Sequence, residues 1–182
     1  KFPAVVFVFS KKRAVALTEY LDSEDYTSKS EKSRIKVFVK QCLDRLKPKD
    51  RDLPQIHFSV ALLERGIAVH HGGLLPLLKE MTEILFQRGY IRILFATETF
   101  AVGINMPTKT VVFTSFKKYD GNNERLIMGH EYTQMAGRAG RRGMDTVGHV
   151  IHMSNLSELP LIAEYSSMLK GTPQKLSSKF TI

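Results

Sequence analysis

The sequence is poor in cysteine and has no long apolar run. Its single cysteine, Cys42, excludes a disulfide within the chain and favours a reducing compartment. No apolar stretch approaches the roughly 20 residues that a membrane-spanning helix needs. Residues 2–9 are apolar, but this run is too short for a span and lacks the small-residue cleavage site of a secretory signal. We therefore expect no membrane partner.

The totals favour a globular, basic protein. The 182 residues suit one domain with a sizeable core, and 43% of them are hydrophobic. Lys and Arg number 27 against 18 Asp and Glu, which gives a net charge of +9. This excess favours a polyanionic partner, of which nucleic acid is the commonest, although charge alone does not establish one.

Apolar segments with strand and helix periodicity alternate along the chain. Short β-branched and aromatic runs predict strands at residues 5–9, 67–69, 91–95, 111–113 and 149–153. Helical spacing between them predicts helices, with Cys42 in the core of one, whereas polar residues 22–33 predict a loop. The sequence therefore predicts an α/β fold whose parallel sheet has helices on both faces.

Polar or glycine-rich residues follow four of the predicted strands. They are Ser10-Lys11, His70-His71-Gly72-Gly73, Thr97-Glu98-Thr99 and Thr114-Ser115. Ligands of parallel sheets bind at the carboxyl ends of the strands, so this edge suits an extended polar ligand. Ser10 could equally be a plain helix cap. A metal site at His70-His71 is disfavoured, because adjacent residues of an extended chain point in opposite directions.

Two further segments carry candidate ligand groups. Residues 97–107 combine hydroxyls with Gly103 and Asn105, which suits a nucleotide but also an ordinary structural turn. Asp120-Gly121 predicts a hairpin turn, and Tyr119 beside it could stack on a base. A surface hairpin without a ligand fits the same composition.

The most informative segment is residues 134–143, where Gln134 precedes Arg138, Arg141 and Arg142. Arginine is always charged and presents a rigid fork of donors that fits phosphate oxygens. The residues between the arginines are small, which allows a close approach of ligand and backbone. A solvated basic turn or a localisation signal is the alternative, but such signals rarely have Gly, Ala and Gln at these spacings.

Taken together, these segments resemble the second RecA-like domain of superfamily-two helicases. Residues 7–11 are similar to the fourth helicase motif, 97–107 to the fifth and 134–142 to the sixth. Residues 66–76 and 95–100 resemble the superkiller-type DExH RNA helicases in particular, and 50–55 favour the cytoplasmic over the nuclear branch. Residues 1–170 would then form the RecA-like domain, and 171–182 a linker toward a winged-helix domain that is absent here.

The resemblance implies a role for each matching residue. Arg138 and Arg141 would reach the γ-phosphate of ATP as arginine fingers, and Gln134 would order the attacking water or link ATP to the motif. Gly103 and Asn105 would line the nucleotide cleft. A last group, Ser10, Lys11, Gly72 and Thr97, would touch the RNA backbone. The ribbon that carries Tyr119 would separate strands.

A phosphate-binding loop of the form Gly-x-x-x-x-Gly-Lys-Ser/Thr and an Asp-Glu-x-His box are both missing from the sequence. In helicases of this kind the first RecA-like domain supplies them, so we expect that domain as a partner and as the source of the Mg²⁺ ligands. The fragment alone is expected to be inactive. In the whole protein it would serve an RNA-stimulated ATPase that binds single-stranded RNA and assists the RNA exosome, within a helicase-associated complex.

Two other functions fit the same residues. A DNA helicase of the same superfamily would grip its strand by a similar sequence-tolerant contact with the backbone. A non-catalytic nucleic-acid-binding module could keep the fold as a scaffold, although a scaffold does not need both Arg138 and Arg141.

Overall fold

The computed structural model describes residues 1–100, 106 and 108–171. The seven strands of this part of the chain are β1 (Ala4–Phe7), β2 (Ile67–His70), β3 (Ile93–Ala96), β4 (Thr110–Phe113), β5 (Lys117–Tyr119), β6 (Glu124–Leu126) and β7 (His149–His152). Its six α-helices are α1 (Lys11–Glu19), α2 (Lys29–Leu43), α3 (Pro54–Glu64), α4 (Pro76–Gln87), α5 (Gly129–Ala136) and α6 (Ile162–Lys170). Single-turn 3-10 helices lie at Pro48–Asp50 and Glu98–Phe100.

Five strands form one parallel sheet in the order β2-β3-β1-β4-β7. The last residues of these strands are in register: Phe7 lies beside Ala96 and Phe113, Ala96 beside His70, and Phe113 beside His152. The carboxyl ends of all five strands therefore form one straight edge, and the segments that follow them begin side by side.

Helices cover both faces of the sheet, as the sequence predicts. Successive residues of a strand point to opposite faces, so Val5 and Phe7 enter one core cluster and Val6 packs against another. The first cluster includes residues of α2 and α4, and the second includes residues of α1. Burying each large apolar side chain contributes about 1.5–3 kcal/mol. Cys42 is buried in the first cluster, which confirms its prediction as a core residue.

The prediction of a loop through residue 33 was wrong at its end, because α2 begins at Lys29. The Glu31 backbone N–H donates to Ser28 Oγ at 3.2 Å, and the Ser28 N–H donates to Glu31 Oε2 at 2.9 Å. This reciprocal pair is a capping box, which satisfies two N–H groups that the first turn leaves without helical partners. A serine followed three residues later by a glutamate is the sequence signal for it.

The predicted hairpin is present. β5 and β6 pair in antiparallel fashion with Lys117 beside Leu126 and Tyr119 beside Glu124. Four residues, 120–123, form the tip, in which Asp120 Oδ1 accepts from the backbone N–H groups of Asn122 and Asn123 at 3.0 and 2.9 Å. Gly121 has a φ of +106°, a conformation that favours glycine.

Other element boundaries differ from the predicted ones by a few residues. β1 ends at Phe7 rather than Phe9, although the Val8 N–H still donates to the Ala96 carbonyl at 2.9 Å. α6 begins at Ile162 rather than near Leu159. Within the described residues, no helix is long and apolar enough to cross a membrane.

Gly148, directly before β7, packs against the backbone at Ala139 and Gly140. A Cβ added at Gly148 would lie 2.5 Å from the carbonyl carbon and oxygen of Ala139 and 2.6 Å from Gly140 N. Neither of these backbone groups can turn away as a flexible side chain would. The position therefore requires glycine for space.

We predict that Gly148→Ala lowers the free energy of unfolding by about 1–3 kcal/mol, because backbone must shift to admit the methyl group. Urea unfolding followed by circular dichroism measures this change. The control is Gly72→Ala, since a Cβ there meets no atom within 4 Å. Equal urea midpoints for Gly148→Ala and the unmodified chain would contradict the packing described above.

Candidate functional site

The candidate RNA-contacting residues Ser10, Lys11, Gly72 and Thr97 follow three neighbouring strands. β2, β3 and β1 are adjacent in the sheet, so the structure brings these residues to one stretch of the carboxyl edge. Ser10 caps α1, with its Oγ accepting from the Arg13 N–H at 3.3 Å. The Thr97 N–H donates to the His70 carbonyl at 3.0 Å, which joins the ends of β2 and β3.

The Lys11 side chain reaches across this edge toward the end of β2. A Cβ built on Gly73 would lie 3.5 Å from Lys11 Cδ, whereas one on Gly72 would meet open space. Lys11 itself is exposed. A cation therefore lies beside an open stretch of backbone, an arrangement that suits contact with a passing chain of phosphates.

His70 and His71 have structural partners at the same edge. His70 Nε2 lies 2.7 Å from Glu83 Oε1, while His71 Nδ1 accepts from the Gly73 N–H at 3.0 Å. Burial and the nearby Lys11 charge lower the pKa of His71, which favours the neutral ring that this hydrogen bond needs. The two histidines thus fix the turn that carries Gly72.

The hairpin projects Tyr119 from this side of the molecule. The Tyr119 side chain is 66% exposed, and the tip residues 120–123 are exposed as well. An exposed aromatic ring beside an acidic and amide-rich tip is available for stacking.

The base of the hairpin is tied to α5 by a cluster of charges. Lys118 Nζ contacts Glu98 and lies 2.7 Å from Glu131 Oε1, while Arg125 donates to both oxygens of Glu131 at 2.9 and 3.0 Å. The Glu131 Oε2 also accepts from the Met128 N–H at 2.8 Å. Burial opposes ionisation of Glu131, but the hydrogen bonds from Arg125 and Lys118 outweigh it and lower its pKa to about 2. We call these four charged side chains the Glu131 cluster.

Gln134 lies one turn beyond Glu131 on α5. It is exposed and lines a depression of about 520 Å³ together with Glu98, Lys118 and Glu131. Gln134, the first residue of the segment that resembles the sixth motif, therefore lies next to the Glu131 cluster. Sequence reasoning missed this cluster, because its members are up to 33 residues apart in the chain.

The arginine segment lies at the opposite edge of the sheet. The Thr108 N–H donates to the Arg138 carbonyl at 2.9 Å, and the Gly140 N–H donates to the Thr108 carbonyl at 2.7 Å. Thr108 lies two residues before β4, so the segment is fixed beside the amino ends of β4 and β7. The structure thus separates the candidate RNA contacts from Arg138 and Arg141, whereas Gln134 lies beside Glu98 near the carboxyl edge. α5 connects the two edges.

The two candidate arginine fingers have different environments. Arg138 is partly buried, and burial lowers the pKa of its guanidinium. Arg141 donates from Nε and Nη2 to the two oxygens of Asp145 at 2.7 and 3.0 Å. Sequence reasoning missed Asp145, as it missed the Glu131 cluster.

Arg141 also lines a cleft of about 430 Å³ at the amino edge. Arg142, Met144, Met106 and Arg92 are among its other walls. Gly103 and Asn105, the predicted nucleotide contacts, lie outside the described residues. β3 ends with Ala96 at the carboxyl edge, and Thr108 lies at the amino edge beside the arginine segment.

The sequence profile of the helicase conserved C-terminal domain matches residues 12–143. The antiviral helicase SKI2 of Saccharomyces cerevisiae is 53% identical over 180 residues, which are 99% of this chain and 14% of that protein. The human superkiller complex protein 2 is 49% identical over 182 residues, 100% of this chain and 14% of that protein. The human exosome RNA helicase MTR4 is 47% identical over 178 residues, 98% of this chain and 17% of that protein.

The chain spans less than a fifth of the length of these relatives. Within that span the likeness covers nearly all of its residues, including both edges of the sheet described above. The chain belongs to the family of helicase conserved C-terminal domains, and it is closely related to the SKI2 and MTR4 DExH-box RNA helicases.

Proposed function

We propose that this chain is the second motor domain of an ATP-dependent RNA helicase that unwinds RNA and assists its decay by the exosome. Residues 1–170 form the RecA-like domain in this proposal, and 171–182 lead toward a winged-helix domain. The main supporting observation is that two opposite edges of one sheet present different candidate groups. One edge presents Lys11 beside open backbone, and the other presents Arg141 on a cleft.

The arginine edge suits a triphosphate held mainly by a first RecA-like domain. The backbone of the arginine segment is anchored at Arg138 and Gly140 by pairing with Thr108, and the Arg141 guanidinium is held by Asp145. ATP supplies the phosphoryl group, whose charge spreads onto oxygens in the transition state. Arg138 and Arg141 stabilise that charge, and Gln134 orients the attacking water or links it to the segment.

The Mg²⁺ ligands belong to the first RecA-like domain in this proposal. In the described part of the chain, no three His, Cys, Asp or Glu side chains form a group suited to a metal ion. Because the sequence lacks the phosphate-binding loop and the Asp-Glu-x-His box, the chain alone is expected to lack ATPase activity. Gly103 and Asn105 complete the nucleotide cleft in the full-length protein.

The carboxyl edge suits single-stranded RNA. Ser10, Lys11, Gly72 and Thr97 offer hydroxyls, a cation and open backbone along one line, which fits phosphates at regular spacing rather than particular bases. Closure of the two motor domains on ATP and their reopening change the distance between their strand contacts.

The names of the relatives include both superkiller and exosome helicases. Within this proposal, the protein belongs to the cytoplasmic superkiller branch, and the nuclear branch is the alternative.

The proposed role of Arg141 predicts the behaviour of Arg141→Ala in the full-length protein. We expect RNA-stimulated ATP turnover to fall on the order of a thousandfold or more, with much smaller changes in ATP and RNA affinity, because the charge is stabilised mainly in the transition state. Arg138→Ala should behave similarly. Phosphate-release kinetics measure kcat and KM separately.

Arg142→Ala is the matched control, since Arg142 lines the same cleft but has no finger counterpart in the motif. Its effect on kcat should be smaller. Near-normal kcat with a raised KM in Arg141→Ala would assign Arg141 to ground-state binding instead. Stimulation of the ATPase by single-stranded DNA equal to that by RNA would favour the DNA-helicase function.

We also predict that Lys11→Ala flattens the salt dependence of single-stranded RNA binding. Each phosphate contact on a single strand contributes roughly 0.7 to the slope of log affinity against log salt, through release of counterions. Fluorescence anisotropy at several salt concentrations measures the slope. Lys40→Ala, an exposed lysine of α2, is the control and should leave it unchanged. A slope unaffected by Lys11→Ala would remove Lys11 from the RNA contact.

Altering the tip of the hairpin should slow unwinding without slowing ATP hydrolysis. A variant with Tyr119→Ala and Gly-Ser residues at 120–123 keeps Lys118 and Arg125, and so keeps the Glu131 cluster. We expect near-normal RNA-stimulated ATPase and much slower duplex separation, because stacking of an aromatic ring on a base is worth about 1–3 kcal/mol. Paired ATPase and strand-displacement assays measure both activities.

Lys118→Met is the control for this variant. It leaves the tip intact but removes the contacts with Glu98 and Glu131, so both activities should fall together. If the tip variant also lost both activities equally, the hairpin would be a structural support for α5. Unchanged unwinding in the tip variant would place strand separation elsewhere in the protein.

A further inference from the structure

The pair of Arg141 and Asp145 has a side-on geometry. Arg141 Nε donates to Asp145 Oδ2 at 2.7 Å, and Nη2 donates to Oδ1 at 3.0 Å. Two parallel N–H···O bonds of this kind fix the plane of the guanidinium as well as its position. The Arg141 backbone N–H also donates to Asp145 Oδ2 at 3.0 Å, so side chain and backbone of Arg141 are held by one carboxylate.

Asp145 is itself firmly placed. Its side chain is 2% exposed, its backbone N–H donates to the Arg141 carbonyl at 2.9 Å, and Lys109 Nζ lies 3.5 Å from Oδ1. The hydrogen bonds from Arg141 hold the pKa of Asp145 far below its usual range despite burial. A buried carboxylate needs such partners, because an unpaired one is costly. Asp145 is therefore a fixed, ionised support.

The contact uses one edge of the guanidinium and spares the other. A guanidinium has five N–H donors, and Asp145 takes one from Nε and one from Nη2. The remaining donors, on Nη1 and Nη2, are on the edge away from Asp145. Arg141 is 27% exposed and lines the cleft at the amino edge, so these donors can face an anion there.

We propose that Asp145 is a positioning residue for Arg141: it holds the guanidinium in one orientation so that its free edge meets the transferring phosphoryl group. A free arginine side chain has many rotamers, and a preformed pair removes much of the entropy cost of ordering it before the reaction. This inference rests on the proposed function, since it gives Arg141 its role in hydrolysis. Asp145 acts only through Arg141.

A double-mutant cycle in the full-length protein tests the inference. The variants are Asp145→Asn, Arg141→Ala and the double variant, with kcat and KM for ATP measured under RNA stimulation and by single-turnover kinetics. Asp145→Asn keeps the size of the side chain but loses its charge and one of the two acceptor oxygens. We expect kcat to fall by up to about a hundredfold, the cost of misplacing a catalytic group by about 1 Å, with KM nearly unchanged.

The decisive measurement is non-additivity. In the Arg141→Ala background, Asp145→Asn should cause no further loss of kcat, because its effect passes through the removed side chain. If the two losses multiply, or if Asp145→Asn has normal kcat while Arg141→Ala is impaired, Asp145 does not position Arg141. Raised kcat in Asp145→Asn would mean that Asp145 restrains Arg141 instead. Normal kcat in Arg141→Ala would overturn the proposed role of Arg141 itself.

Two controls separate positioning from stability. Lys109→Met removes the other charge beside Asp145 but leaves the Arg141 pair, so it should affect kcat much less than Asp145→Asn. Asp44→Asn breaks an exposed arginine–aspartate pair with Arg51, at 3.0 Å, and should leave kcat unchanged. If Asp145→Asn does not fold, Asp145→Glu keeps the charge and displaces it by one methylene. An unchanged kcat in that variant would contradict the inference.

Discussion

The arrangement of the molecule depends on one constraint of parallel sheets, which is that the chain must cross back to the amino edge before each new strand. The last of these crossings holds the Glu131 cluster at one end and the arginine segment at the other. α5 begins beside the hairpin and ends where Arg138 pairs with Thr108. A short helix of 8 residues therefore connects the two edges to which we assign RNA and ATP.

The charges of the chain are distributed unevenly around this framework. Lys118, Arg125 and Arg141 all form ion pairs with carboxylates. These pairs lower the pKa values of Glu131 and Asp145. Lys11, by contrast, is exposed at the end of a strand beside open backbone. The 27 Lys and Arg residues thus include cations that organise the domain and cations that remain available to a polyanion.

Much of the fold was predictable from local patterns. The strand at Val5–Phe7 is apolar on both faces, and the residues after it are polar, so both its burial and its exposed end can be read from neighbouring residues. The carboxyl-edge group of Ser10, Lys11, Gly72 and Thr97 follows from that, because parallel strands end together. The start of α2 has a sequence signal, the capping-box spacing of Ser28 and Glu31. Its first turn is polar, however, and was therefore interpreted as part of the preceding loop.

The parts that local patterns could not predict depend on contacts between distant segments. Nothing near Glu131 indicates that Lys118 and Arg125 converge on it, and nothing near Arg138 indicates pairing with Thr108. Asp145 is close in sequence to Arg141, but an acidic residue four positions away is usually exposed and weakly interacting. Its 2% exposure comes from the surrounding tertiary structure.

The packing of Gly148 changes how the small residues of the arginine segment are understood. A Cβ on Gly140 would lie 3.3 Å from the Cα of Gly148, and a Cβ on Gly148 would overlap Ala139. The glycine at position 140 of the arginine segment is thus favoured by a neighbouring stretch of backbone, independently of any phosphate. In a library of random substitutions, positions 140 and 148 would be depleted by loss of folded protein, even without selection for activity.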